Sequence, residues 1–131
     1  MKTAELHWKA AYDTGVEEID LQHRYFLALI NRLRNELDAC DDETYRRRLL
    51  DELARYAAFH FISEENLMLK FGYPGYEQQR RLHLELIDQL SWRMQSPSHG
   101  DLFDFLIGWF VHHTVEEDHG IGEFVGQKGT C

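Results

Sequence analysis

The sequence predicts an all-α protein, an up-down-up-down four-helix bundle preceded by a non-helical N-terminal arm. Three observations predict it. Four stretches carry apolar residues at helical spacing, the breaks between them are short, and no stretch alternates as a strand does. Short connections between helices of similar length favour antiparallel neighbours.

The residues before Glu18 form the arm, and its Leu6, Trp8 and Tyr12 are expected to pack across the side of the bundle. The first helix runs from about Glu18 to Cys40, with Phe26, Leu27, Ile30, Leu33 and Leu37 inward. Asp41 and Asp42 interrupt it. Asp42 suits the N-cap of the second helix, because its carboxylate can accept from the free N–H groups of the first turn. That helix runs to about Phe71 and sets Leu49, Leu53, Tyr56, Ala57, Leu67 and Met68 on one face. Gly72-Tyr73-Pro74 ends it, and Pro74, with φ already fixed, suits the first turn of the third helix. The third runs to about Met94, with Tyr76, Leu86, Ile87 and Leu90 inward. The stretch Ser96 to Gly100 breaks it. Asp101 is expected to cap the fourth helix, which carries Phe103, Leu106 and Phe110 and ends near Gly120.

At 131 residues the chain fits one domain spanning 1–131, and an apolar fraction of 44% supports a single core without disulfides. A formal charge of −9 argues against nucleic acid or an anionic membrane as partner, since both would repel it. No apolar run approaches the ~20 residues needed to span a bilayer. The stretch from Met1 to Gly15 lacks the apolar centre of a signal peptide, so a cytoplasmic address is expected. Cys40 and Cys131 fall in no metal-binding spacing and read as incidental thiols.

Each helix also sets polar residues into its apolar stripe. His23 shares a face with Phe26, Leu27, Ile30 and Leu37. His60 and Glu64 are four apart, about 40° around a helix, and continue the stripe of the second. Gln79 and His83 repeat that spacing in the third, and His113 follows Leu106 and Phe110 in the fourth. Its neighbour His112 points about 100° away. A buried imidazole or carboxylate without a partner costs several kcal/mol, so these groups need one another or an ion. In an up-down bundle the start of helices one and three and the end of two and four lie together. All the inward polar groups are therefore expected to converge at one end. Imidazoles and carboxylates without thiolate suit Fe, Mn or Zn better than copper(I) or an iron–sulfur cluster. Four histidines with carboxylates exceed what one ion needs, and bridging carboxylates would let two ions share them.

With these motifs the sequence resembles a bacterial hemerythrin over almost its whole length. The resemblance rests on Trp8 through Gly15-Val16-Glu17-Glu18-Ile19-Asp20 to His23, and on His60-Phe-Ile-Ser-Glu64. It continues in Tyr73-Pro-Gly-Tyr-Glu77 leading to His83, and in Trp109-Phe-Val-His-His113-Thr-Val-Glu-Glu-Asp118. It implies two iron ions bridged by Glu64 and Asp118. His23 and His60 would hold the iron with an open position, where dioxygen binds and is reduced to a hydroperoxide. His83 and His113 would hold the other, with a further histidine four residues before His83. Position 79 is Gln instead. The second iron is then left with two histidines and either water in the gap, hydrogen-bonded to Gln79, or a weak bond from the Gln79 carbonyl oxygen. Asp118, five residues after His113, would lie about 140° off its face in a regular helix, where Glu117 fits better. A wide, π-like turn would reconcile spacing and motif.

His7, His99 and His119 are expected to be solvated, and one copy of the Glu-x-x-His spacing at Glu116 and His119 carries little weight. The function expected is reversible binding of dioxygen or a related small ligand, diatomic or peroxide, for carriage, storage or sensing. The rival is a di-iron redox enzyme acting on peroxide or nitric oxide, which Gln79 favours. A third reading is an iron-dependent regulatory module. A redox partner is implied without being specified.

Overall fold

The computed structural model describes residues 6–95 and 100–128. After a single 3-10 turn at Ala10–Tyr12 come α1 (Glu17–Ala39), α2 (Glu43–Phe71), α3 (Tyr76–Met94) and α4 (Gly100–His112). A π-helical turn at His113–Glu117 carries α4 straight into α5 (Asp118–Lys128), so the two form one fourth rod. α1 packs on α2 and α4, and α3 packs on the same two, which closes a ring of four. Among the described residues there is no strand, and no helix is long and apolar enough to cross a membrane.

Local chemistry explains the helix ends. The Asp42 carboxylate accepts from the Tyr45 N–H at 2.9 Å and starts α2. Gly72, left-handed at φ 68°, ends it, and the Tyr73 N–H reaches back to the Met68 carbonyl at 2.8 Å. The Arg46 guanidinium donates to the carbonyls of Leu37 and Cys40, so α1 is closed from the helix that follows it. At the other end of α1, Asp20 accepts from the Thr14 N–H and hydroxyl, both at 2.8 Å, and from the Gly15 N–H at 3.2 Å. That carboxylate ties the arm to the first turn. Tyr12 of the arm is buried, with Leu6 and Trp8 packed beside the same core.

Three boundaries differ from expectation. Pro74 precedes α3 instead of entering it, because Tyr73 to Tyr76 form a turn with Pro74 and Gly75 at its centre, closed by the Tyr76 N–H on the Tyr73 carbonyl at 3.3 Å. α4 begins at Gly100, one residue before the expected cap Asp101. The cap itself, the break at 96–99 with His99, and Cys131 lie outside the described residues and side chains. The fourth rod also runs past Gly120 to Lys128. Its continuation is held by Ile121, fully buried against Ile19 and Met68. Gly122 there serves close approach: a Cβ on it would stand 2.3 Å from the Thr14 carbonyl oxygen.

The larger apolar core draws on all four rods around Phe26, Leu33, Leu53, Leu90, Leu106 and Phe110, and Ile19, Met68 and Ile121 form a smaller one. The polar cluster on α1 to α5 is flanked by both cores. It lies buried toward the end of the bundle where α1 and α3 start and α2 finishes, with the smaller core packed beyond it.

Gly122→Ala is expected to destabilise the fold by about 1–3 kcal/mol, because the backbone it would strike has no rotamer to yield. Gly126→Ala, in the same helix with nothing within 4 Å of its new methyl, is expected to stabilise by about 0.5–1 kcal/mol. Thermal melts of the two variants should move in opposite directions.

Candidate metal centre

His23, His60, Glu64, His113 and Asp118 are each fully buried, and one ligand atom from each lies within 4.8 Å of all the others. His83, 2% exposed, joins them with its Nε2 3.4 Å from Glu64 Oε1. The structure therefore brings together the six residues singled out in the sequence, from α1, α2, α3 and the fourth rod. Gln79 lies one turn before His83, half-buried, with a carbonyl oxygen that is shielded from solvent and has no hydrogen-bond partner.

The π turn decides which acid on the fourth rod faces inward. The Asp118 N–H bonds the His113 carbonyl five residues back, and the Thr114 hydroxyl donates to the Phe110 carbonyl within the same stretch. The extra residue returns Asp118 to the face of His113, with Oδ2 2.7 Å from His113 Nε2 and 2.6 Å from His23 Nε2. Glu117, the choice of regular spacing, slips outward and lies behind His113, with Oε2 3.8 Å from its Nδ1.

The imidazoles turn their Nε2 atoms toward one another. His60 Nε2 is 3.1 Å from that of His23 and 3.3 Å from that of His113. His60 Nδ1–H donates to Gln22 Oε1 at 2.7 Å, and the Gln22 amide is oriented by its own donation to Ser63 Oγ at 2.9 Å. His83 Nδ1–H donates to Glu65 Oε2 at 2.8 Å. With those protons outward, the inner nitrogens of His60 and His83 present bare lone pairs. Both oxygens of Glu64 and Oδ1 of Asp118 lie buried with no hydrogen-bond partner, and Asp118 Oδ2 meets the inward nitrogens of His23 and His113. Lone pairs face to face in a dry interior repel, and a cation removes the repulsion. Neighbouring donors around one ion with bonds of about 2.1 Å sit roughly 3 Å apart, close to the spacings here. The donor set fits metal.

Without metal, the cluster must satisfy itself with protons. Burial opposes charge on His113, but Asp118 and then Glu64 hold it well above its ordinary pKa. Burial likewise works against His83, and Glu64 and Glu65 still raise it. His60 is lowered, first by burial. Burial pushes the Asp118 carboxyl up, yet the adjacent His113 charge, and after it the close polar contacts of Glu64, His113 and His23, hold it well below the usual carboxylate range.

Aromatic rings wall the cluster. Phe61 stacks on His83 at 4.2 Å and 9°, and Trp109 stacks on His113 at 4.9 Å and 15°. Phe26 and Phe110 stand edge-on to His60 and His23. Tyr56, from the same layer, donates to the Gln22 carbonyl at 2.8 Å, and burial raises its phenol to about 12.

The other described histidines are outside the cluster. His112 is 59% exposed beside Glu116, His119 pairs with Glu123 four residues on, and His7 is exposed. Glu116 and His119 each pair elsewhere, so the Glu-x-x-His spacing builds nothing. Sequence reasoning missed Gln22 and Glu65, which hold the outer nitrogens of His60 and His83. The signals were slight: Gln22 is next to His23, and Glu65 next to Glu64.

Residues 14–125 match the family model described as the hemerythrin HHE cation-binding domain. A bacteriohemerythrin of Pseudomonas aeruginosa is 29% identical over 122 residues, covering 89% of this chain and 79% of that protein. One of Clostridium acetobutylicum is 26% identical over 122 residues, covering 85% of this chain and 94% of its own length. The crystal structure of a wild-type hemerythrin superposes with a TM-score of 0.81 at 27% identity, covering 92% of this chain and 97% of that one.

Proposed function

The chain belongs to the hemerythrin HHE cation-binding family, and from that premise we propose that it is a single-domain di-iron protein that reversibly binds dioxygen or a related small ligand. The observation that carries this reading is the inward convergence of four imidazoles and two carboxylates in a dry interior, with the Glu64 oxygens, Asp118 Oδ1 and His83 Nε2 left without a hydrogen-bond partner. In this reading His23 and His60 would hold one iron, His83 and His113 the other, and Glu64 and Asp118 would be shared between them. When bound, two such ions would supply the electrons that dioxygen binding requires.

The chain's own residues do the rest. Gln22 and Glu65 fix the rings of His60 and His83 so that the inner nitrogens stay aimed at the centre. Phe26, Phe61, Trp109 and Phe110 keep water from the ligand pocket. Metal analysis and the visible spectrum of iron-loaded protein in air test the proposal. Two irons per chain and a ligand-dependent band are expected, and a single ion or a featureless spectrum would overturn it.

Gln79 favours a second reading, redox turnover of peroxide or nitric oxide, because an amide is a poorer donor than imidazole and leaves the second iron accessible. Its shielded, unpartnered carbonyl oxygen is consistent with a role toward that iron or a water on it. Gln79→His is expected to slow oxidation of the oxygenated protein and reduce metal loss. An unchanged or faster decay would defeat this account of Gln79, and sustained turnover on adding peroxide or nitric oxide to the diferrous protein would establish the enzyme.

A further inference from the structure

The outer nitrogens of the four imidazoles are not treated alike. His83 Nδ1–H meets a carboxylate, Glu65, at 2.8 Å, and His113 Nδ1 has a second carboxylate, Glu117, at 3.8 Å. His60 meets only the neutral amide of Gln22, and His23 Nδ1 is buried with no hydrogen-bond partner. Both acids sit where solvent screens them weakly, Glu65 at 19% and Glu117 at 11% exposure. A carboxylate that accepts an imidazole N–H pulls on that proton and makes the opposite nitrogen a stronger donor, which a neutral amide does far less.

We propose that Glu65, with a smaller contribution from Glu117, is a positioning residue that makes the half of the centre built on His83 and His113 the tighter metal site, offsetting the amide at Gln79. The inference rests on the two-ion reading above. It concerns only the difference between the halves. Glu117 acts through charge, since 3.8 Å is too long for a hydrogen bond, so its effect is the weaker of the two.

Stepwise zinc titration of the metal-free protein, read by competition with a chelating dye, tests it. Wild type is expected to bind two ions with unequal affinity. Glu65→Gln, nearly isosteric, should weaken the tighter step by about ten- to a hundredfold and leave the other unchanged. Glu117→Gln should weaken the same step by less. In the zinc-loaded protein, the His83 Nδ1 proton should resonate downfield in wild type and move upfield in Glu65→Gln, a signature that a merely packing role would not produce. Gln22→Glu, which puts a carboxylate behind His60, should strengthen the weaker step and narrow the gap, and it decides the matter if Glu65→Gln does not fold. Equal affinities in wild type, or a Glu65→Gln effect that is absent or shared by both steps, would overturn the proposal. Binding of fewer than two ions by wild type would instead overturn the two-ion reading itself.

Discussion

Glu64→Gln is expected to abolish tight binding of the second iron and to weaken the first by at least about a hundredfold, while the bundle stays folded. Glu64 Oε1 lies 3.3 Å from His113 Nε2, 3.4 Å from His83 Nε2 and 3.5 Å from His60 Nε2. It is the acid that faces imidazoles from α2, α3 and the fourth rod together. Glutamine keeps its volume, so the packing around the site is preserved, but it removes the charge that would screen two cations from each other. Elemental analysis after anaerobic loading and desalting, with circular dichroism to verify the helices, checks the outcome. Two ions retained per chain would show that Glu64 is not a shared ligand.

Metal is also expected to reverse the sign of the pH dependence of stability. In protein stripped of metal, His113 and His83 have pKa values raised above their unfolded value. Their contribution is complete below about pH 6.5 and fades as the pH climbs through their folded values. His60, lowered by burial, works the other way and weakens the fold as the pH drops below that point. Asp118, held low, stabilises above its unfolded value and loses this only in strong acid. Two raised imidazoles, one of them strongly, outweigh one lowered, so Tm of the stripped protein should fall from about pH 6 to about pH 8.5. With metal bound, protons compete with the ions for the same nitrogens, and Tm should rise over that interval. Paired melts at several pH values read the two slopes. Slopes of equal sign would show that these nitrogens do not carry the metal.

Much of the bundle was legible because a helix repeats every 3.6 residues, and burial follows that repeat. Phe26, Leu33, Leu53, Leu106 and Phe110 were placed inward by spacing and are inward in the structure. His113 could be separated from His112 on the same ground, and it is the buried one of the two. The limits appeared where one residue had two possible jobs. Gly120 has the composition of a helix end, but Ile121 beyond it is buried and the helix continues. No local rule weighs a helix-weakening glycine against the close approach to Thr14 that Gly122 permits.

The sequence by itself determined the number of helices, their inner faces and the donors those faces carry, because side-chain direction along a helix depends on position alone. Only the tertiary structure decided the depth of the cluster between two cores and the partners behind each imidazole. Both depend on how neighbouring helices are rotated and offset, which long-range packing sets. The π turn joins the two levels: the spacing from His113 to Asp118 required some distortion, and packing of the whole rod turned Asp118 inward and sent Glu117 behind the ring.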